Sequence, residues 1–78
     1  MWTSEAVIQT MKTYGKRMTR QRMIIIEAVV SSQSGNFKDL YTKISKEDPN
    51  IGPATVYRML QVLEEVGVLK RVQGYILN

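Results

Sequence analysis

Hydrophobic residues recur along most of this chain at steps of three and four, the spacing of an amphipathic helix. The pattern first predicts a helix from about Ser4 to Tyr14, capped by Thr3 or Ser4 and ended by a left-handed Gly15. Its last turn should bury part of Tyr14. The other apolar residues of this helix are Val7, Ile8 and Met11.

A second helix is predicted to begin after Thr19, a good N-cap, and to end at about Ser31. Its inward positions by this spacing are Met23, Ile26, Val29 and Val30. The β-branched run from Ile24 to Ile26, followed by two valines, is also compatible with a buried strand. The cap and the length of the segment favour the helix.

Residues 31–35 have the composition of a loop, and a third helix is predicted to follow it. Asn36 is its N-cap, and Asp39 stands three residues on, as in a capping box. Its stripe is Phe37, Leu40, Tyr41 and Ile44. Asp48, Pro49 and Asn50 end the helix, because proline disfavours helical backbone in the residue before it.

A fourth helix is predicted from Pro53 to Val66, with Gly52 as its cap. Its apolar stripe is Val56, Met59, Leu60, Leu63 and Val66, and Ile51 is placed for a hydrophobic staple with Val56. The opposite face carries Ala54, Tyr57, Arg58 and Gln61, with Thr55 at its margin. The third and fourth helices are separated by a short turn, so they predict a helix-turn-helix.

Two β-prone runs follow Gly67, and a turn at Gln73-Gly74 separates them, which predicts a hairpin. A lone hairpin is barely stable in water, so this one should pack on the helices. The expected fold is mainly α with a small β-hairpin. It is a winged helix-turn-helix in which three to four helices precede a two-stranded wing. One domain would span 1–78, with its first helix in 1–15, the helical core in 19–67 and the wing in 68–78.

The composition of the chain reduces the number of possible functions. With 44% hydrophobic and 23% charged residues, the 78-residue chain has the composition of an ordinary globular domain. It has neither His nor Cys, so it lacks the usual ligands of transition metals and the usual partners of a hydrolytic triad. We therefore expect no enzymatic activity, no metal and no cofactor. No apolar run approaches the roughly 20 residues of a membrane span.

The basic residues are clustered. The chain has a net charge of +4, and five of its eleven Lys and Arg residues lie within eleven positions that contain no acid. These five are Lys12, Lys16, Arg17, Arg20 and Arg22. A solvated charged turn is the plain alternative, but a cluster beside a helix-turn-helix favours contact with phosphates.

The polar face of the fourth helix changes along its length. Its first two turns offer hydrogen-bonding groups, whereas its last turn carries Glu64 and Glu65. A polyanion would approach the first half and avoid the second. DNA recognition helices use their N-terminal residues in the major groove in this way. An amphipathic core helix with an ordinary solvated face is the alternative.

The order of these elements resembles the DNA-binding domain of the ferric uptake regulator family over roughly residues 10 to 72. The string Ala-Thr-Val-Tyr-Arg, at 54–58, is the most specific part. The other matching segments are 19–22, 39–41, 52–53, 65–69 and the leucines at 60 and 63.

The resemblance implies roles for individual residues. Tyr57 would lie against thymine methyls and Arg58 would reach a base or a phosphate, while Thr55 touches the backbone. Arg17, with Lys16 beside it, would correspond to a basic residue that enters the minor groove. Arg22 would meet a phosphate.

The chain also departs from the family. Members normally continue into a dimerisation domain that holds the metal sites, whereas this chain ends at Asn78. Many members carry a metal-binding His at the start of the third helix, where Asn36 and Phe37 stand here. The resemblance therefore does not extend metal sensing to this chain, which is either the DNA-binding piece of a longer protein or a free-standing relative.

We therefore expect a cytoplasmic transcription regulator that binds double-stranded DNA in a sequence-specific manner, without a membrane or small-molecule partner. A homodimer on a palindromic site is expected, because a monomer makes few contacts. A winged-helix module that binds another protein is the alternative. On the wing, at least one of Lys70 and Arg71 should meet a phosphate. The full set of candidate DNA-contacting residues is Lys16, Arg17, Thr19, Arg20, Arg22, Ala54, Thr55, Tyr57, Arg58, Gln61, Lys70 and Arg71.

Overall fold

Helices form where the hydrophobic spacing predicts them. The computed structural model describes residues 1–78 and contains four helices and three short strands. The helices are α1 (Ser4–Thr13), α2 (Arg20–Ser32), α3 (Phe37–Glu47) and α4 (Pro53–Glu65). The strands are β1 (Ser34–Gly35), β2 (Leu69–Val72) and β3 (Gly74–Leu77). No helix has the length and the apolar character needed to cross a membrane.

Side-chain caps begin the first three helices. The Thr3 hydroxyl accepts from the Ala6 N–H at 3.1 Å, and the Thr19 hydroxyl accepts from the Arg22 N–H at 3.2 Å. The Asn36 side chain accepts from the backbone N–H of Asp39 at 2.8 Å. In α4 the cap residue is Gly52, so no side chain bonds to the first turn. The four predicted helix starts are confirmed.

The core is wholly hydrophobic. All 17 buried residues are apolar or aromatic, they form one cluster, and every helix contributes to it. The predicted stripe of α4 is confirmed, because all five of its members are buried. Ile51 and Val56, the expected staple, are also fully buried.

Two expectations about burial are wrong. Met23 is 41% exposed, and the inward face of α2 is instead centred on Ile25, Ile26, Ala28 and Val29. Three consecutive isoleucines spread apolar surface over more than half of the helix circumference, so contact with α1, α3 and α4 decides which part of it is buried. Tyr14 is 60% exposed, because α1 ends at Thr13 and the ring lies beyond its last packed turn.

The predicted two-stranded hairpin is confirmed as β2 and β3, and β1 adds a third strand to it. The antiparallel order is β1-β3-β2, with Arg71 opposite Tyr75 in the hairpin and Gly35 opposite Tyr75 on the other side. β1 comes from the segment that was predicted to be a loop. A two-residue strand is too short to show a hydrophobic pattern, and its partner lies some forty residues further along the chain.

Gly74 allows β1 and β3 to approach each other closely. Its φ is +131°, and a Cβ at this position would lie 2.4 Å from the backbone oxygen of Gly35. We expect Gly74→Ala to lower the free energy of unfolding by at least about 2 kcal/mol, since backbone strain alone costs roughly 1–3 kcal/mol. Urea unfolding measures this effect.

Gly52 provides the matched control. Nothing lies within 4 Å of a Cβ built there, and its φ of −79° suits any residue. Gly52→Ser should leave stability unchanged or raise it by a few tenths of a kcal/mol, since serine is a good N-cap. Equal losses in the two variants would contradict the close approach at Gly74.

Tyr75 predicts a loss of stability at alkaline pH. It is only 6% exposed, and burial raises the pKa of its phenol above the ordinary 10.0. The folded state therefore holds this proton more tightly than the unfolded state does. The corresponding stability is complete below pH 10 and declines as the pH rises above it. Chemical unfolding from pH 8 to 11 measures the decline.

The matched variants are Tyr75→Phe and Tyr14→Phe. The first should flatten the alkaline decline, because it removes the buried ionisable group. The second alters a ring that is 60% exposed and should keep the decline of the parent. An unchanged decline in Tyr75→Phe would assign the effect to other groups.

Candidate nucleic-acid interface

Packing of α4 leaves one side of this helix free for a partner. Val56, Met59 and Leu63 are buried, whereas Tyr57, Arg58 and Gln61 are exposed on the opposite side. Ala54 is also exposed, and Thr55 is half-buried at the margin. The structure therefore places the five α4 candidates on the outward half of the helix.

Arg58 is free of acidic partners. Its guanidinium lies 3.5 Å from the Thr55 hydroxyl, which is a weak contact within the same helix. The one ion pair of the protein joins Arg71 to Glu64. The charge of Arg58 is therefore available to an external anion.

The turn between α1 and α2 holds the basic cluster in a defined shape. Gly15 ends α1 with a φ of +74°, and Thr19 caps α2. Arg22 donates from Nη1 to the backbone oxygen of Arg17 at 2.8 Å. Arg22 thus stabilises the turn that presents Arg17.

The basic side chains of this turn differ in exposure. Arg17, Thr19 and Arg20 are exposed, whereas Lys16 and Arg22 are half-buried. None of them pairs with an acid, since the single ion pair lies elsewhere. The basic residues of this turn therefore carry positive charges that no acidic side chain neutralises.

The two wing cations behave differently. Lys70 is exposed and has no polar partner, whereas Arg71 lies on the same side of β2 as the buried Leu69 and bends over α4. Arg71 donates from Nη1 to the Tyr57 hydroxyl at 3.2 Å, and its Cζ lies 5.1 Å from the centroid of the Tyr57 ring. Its Nε lies 3.7 Å from a carboxylate oxygen of Glu64. The hydrogen bond to Tyr57 is the main cause that raises the pKa of Arg71 above its ordinary value.

Two residues near this site are not among the candidates predicted from the sequence. Phe37, at the start of α3, meets the Tyr57 ring edge-on with 6.3 Å between the centroids. Glu64 holds Arg71. The seven-residue step from Tyr57 to Glu64 places them on one side of α4, and this spacing was the only available signal.

Four helices with a helix-turn-helix and a packed three-stranded wing define a winged-helix domain. A sequence profile of the ferric uptake regulator family matches residues 13–75. The chain belongs to this family, which confirms the resemblance.

The relatives agree with this assignment. The chain is 35% identical over 69 residues to the peroxide-responsive repressor PerR of Staphylococcus epidermidis (strain ATCC 12228 / FDA PCI 1200), covering 87% of this chain and 46% of PerR. It is 33% identical over 69 residues to PerR of Staphylococcus aureus (strain USA300), covering 87% and 47%. The chain spans about half the length of the curated relatives it matches.

Solved structures show the same fold. A manganese uptake regulator superposes with a TM-score of 0.81 at 29% identity, covering 97% of this chain and 59% of that chain. A zinc-bound manganese uptake regulator gives a TM-score of 0.81 at 26% identity, covering 92% and 60%. These matches confirm the predicted winged-helix class.

The side chains present do not fit a metal ion. No three residues among His, Cys, Asp and Glu come together in a group that could hold one. At the start of α3, where Asn36 and Phe37 stand, the side-chain oxygen of Asn36 is used to cap the helix. We therefore derive no role for a metal from the residues of this chain.

Proposed function

We propose that this chain binds double-stranded DNA in a sequence-specific manner, as a transcription regulator, with α4 in the major groove. The side chains on the outward half of α4 support this function most directly. This half exposes Tyr57, Arg58 and Gln61 over its first turns and confines its acids to Glu64 and Glu65. Arginine pairs with guanine edges, glutamine with adenine edges, and apolar surface contacts thymine methyls.

The neighbouring elements supply contacts to the DNA backbone. Arg17, Arg20 and Lys70 are exposed and unpaired, so each can approach a phosphate without giving up an ion pair. Lys16, Thr19 and Arg22 belong to the same turn. Because Gly52 caps α4 without a side-chain bond, the N–H groups of Ala54 and Thr55 in its first turn have no side-chain acceptor that an anion would have to displace.

Family membership favours DNA binding over the alternative of a protein-docking module. We propose a cytoplasmic location, because the curated relatives are bacterial and bacterial DNA lies in the cytoplasm. We assign the chain no catalytic role.

Binding should depend strongly on salt. We expect the chain to bind a mixed-sequence duplex with a slope of log affinity against log salt near −5, since each of about six phosphate contacts adds roughly −0.9. Fluorescence anisotropy from 25 to 200 mM salt measures the slope. Absence of binding at the lowest salt would overturn the proposal and bring the docking module to first place.

Arg58→Ala tests the assignment of α4. On a duplex selected from a random pool by the parent chain, the variant should bind about tenfold more weakly, since a base contact is worth roughly 1–3 kcal/mol. Lys43→Ala is the matched control. It also removes one positive charge, but Lys43 donates to the hydroxyls of Ser31 and Ser32, away from α4. Equal losses in both variants would show that only net charge matters.

We further propose that two chains bind one site. A single small module buries roughly 600–1,000 Å² on DNA, which is little for tight specific binding. Sedimentation of the chain with its selected duplex should show two chains per duplex, with half-sites about one helical turn apart. A complex of one chain on a site without two-fold symmetry would contradict this prediction.

A further inference from the structure

Arg71 makes three contacts with α4 at once. Its guanidinium donates to the Tyr57 hydroxyl, lies over the Tyr57 ring and pairs with Glu64, at 3.2, 5.1 and 3.7 Å respectively. These are the only polar side-chain contacts between the wing and α4. The side chain that should be a plain phosphate contact is therefore already engaged by the helix.

The spacing along α4 explains the arrangement. Tyr57 and Glu64 are two helical turns apart on one side of the helix, so a guanidinium between them can contact both. Arginine suits the position, because it is planar and carries several N–H donors in a fixed geometry. A lysine at 71 could supply the charge but not this set of contacts.

The Tyr57 ring is held from two directions. Phe37 contacts it edge-on at 6.3 Å, and Arg71 lies over it at 5.1 Å. Without Arg71, the ring of Tyr57, a residue that is 43% exposed, would keep the aromatic contact with Phe37 alone and could turn more freely. Fixing a side chain in its binding orientation beforehand lowers the entropy lost on binding.

We propose that Arg71 is a positioning residue for DNA recognition. It holds the Tyr57 ring and hydroxyl in the orientation that meets a base, and Glu64 keeps Arg71 on the helix and away from phosphate. The inference rests on the proposed function and adds a specificity role on the wing.

A positioning role and a phosphate contact have opposite consequences. A phosphate contact contributes equally on every sequence and adds about −0.9 to the salt slope. A positioning residue acts through Tyr57, so it changes the preference for the selected duplex over a mixed-sequence duplex and leaves the slope unchanged.

The decisive variant is Arg71→Lys, which keeps the charge and can still pair with Glu64 but loses the combined contacts with the Tyr57 hydroxyl and ring. We expect Arg71→Lys and Arg71→Ala to lower the preference for the selected duplex by about three- to tenfold, the range of one lost hydrogen bond. Their salt slopes should match that of the parent. If Arg71→Lys keeps the parent's preference while Arg71→Ala flattens the slope, Arg71 is a phosphate contact and the inference fails.

Lys70→Ala is the matched control on the same strand. Lys70 contacts neither Tyr57 nor Glu64, so its removal should flatten the slope by about 0.9 and leave the preference unchanged. Thermal unfolding of each variant tests whether the domain keeps the stability of the parent. A loss of preference in Lys70→Ala equal to that in Arg71→Lys would overturn a specific role of Arg71.

Variants of Tyr57 test whether Arg71 acts on the preference through this side chain. Tyr57→Phe removes the hydroxyl and keeps the ring, so it should lower the preference less than Arg71→Lys does. The double variant should lose no more than Arg71→Lys alone, because both changes act on the same side chain. Additive losses would mean that Arg71 and Tyr57 act independently.

Glu64→Gln should lower the preference for the selected duplex and steepen the salt slope, since it frees Arg71 for phosphate.

A measurement without DNA separates this inference from the proposed function. In the free protein, the side-chain protons of Arg71 should be shifted upfield by the Tyr57 ring current in NMR spectra, and Tyr57→Leu should abolish the shift. If this shift is present but the parent binds no duplex, the proposed function fails and the contact remains. If the parent discriminates between duplexes but the shift is absent, the positioning role fails alone.

Discussion

Burial of one face of α4 decides which of its side chains can reach a partner. Val56, Met59, Leu60, Leu63 and Val66 are all inside the core. Each fully buried side chain of this kind contributes roughly 1.5–3 kcal/mol. Rotating α4 to bury Tyr57 or Arg58 would forfeit several such contributions and bury a charge. The orientation of the outward face is therefore a consequence of the core, and the remaining elements are placed around it.

The same constraint determines where the polar groups lie. No charged side chain is buried, so the charged groups stay at the surface, and ten of the eleven cations lack an ion pair. Local bonds shape the surface that they form. Thr19 caps α2, and Arg22 holds the backbone of Arg17. Unpaired positive charge beside the outward side of α4 is what the proposed function requires.

The wing couples distant parts of the chain. β3 pairs with β2 through a tight turn at Gln73 and with β1 across some forty residues, where Gly74 permits the close approach. This packing brings Arg71 onto α4 beside Tyr57. The wing therefore belongs to the same surface as the helix, which is why a residue on it can influence how that helix meets DNA.

Local sequence patterns were enough to predict the four helices, their caps and the stripe of α4, because these features depend on neighbours within a few residues. The order and spacing of the motifs were enough to predict the family. The sequence also located the candidate residues on α4 and on the turn before α2. The buried side of α2 depends on tertiary contacts, because Ile24, Ile25 and Ile26 offer equivalent surfaces to the neighbouring helices. The third strand and the contacts of Arg71 with Tyr57 and Glu64 also needed the tertiary structure, since they join segments whose proximity no local pattern encodes.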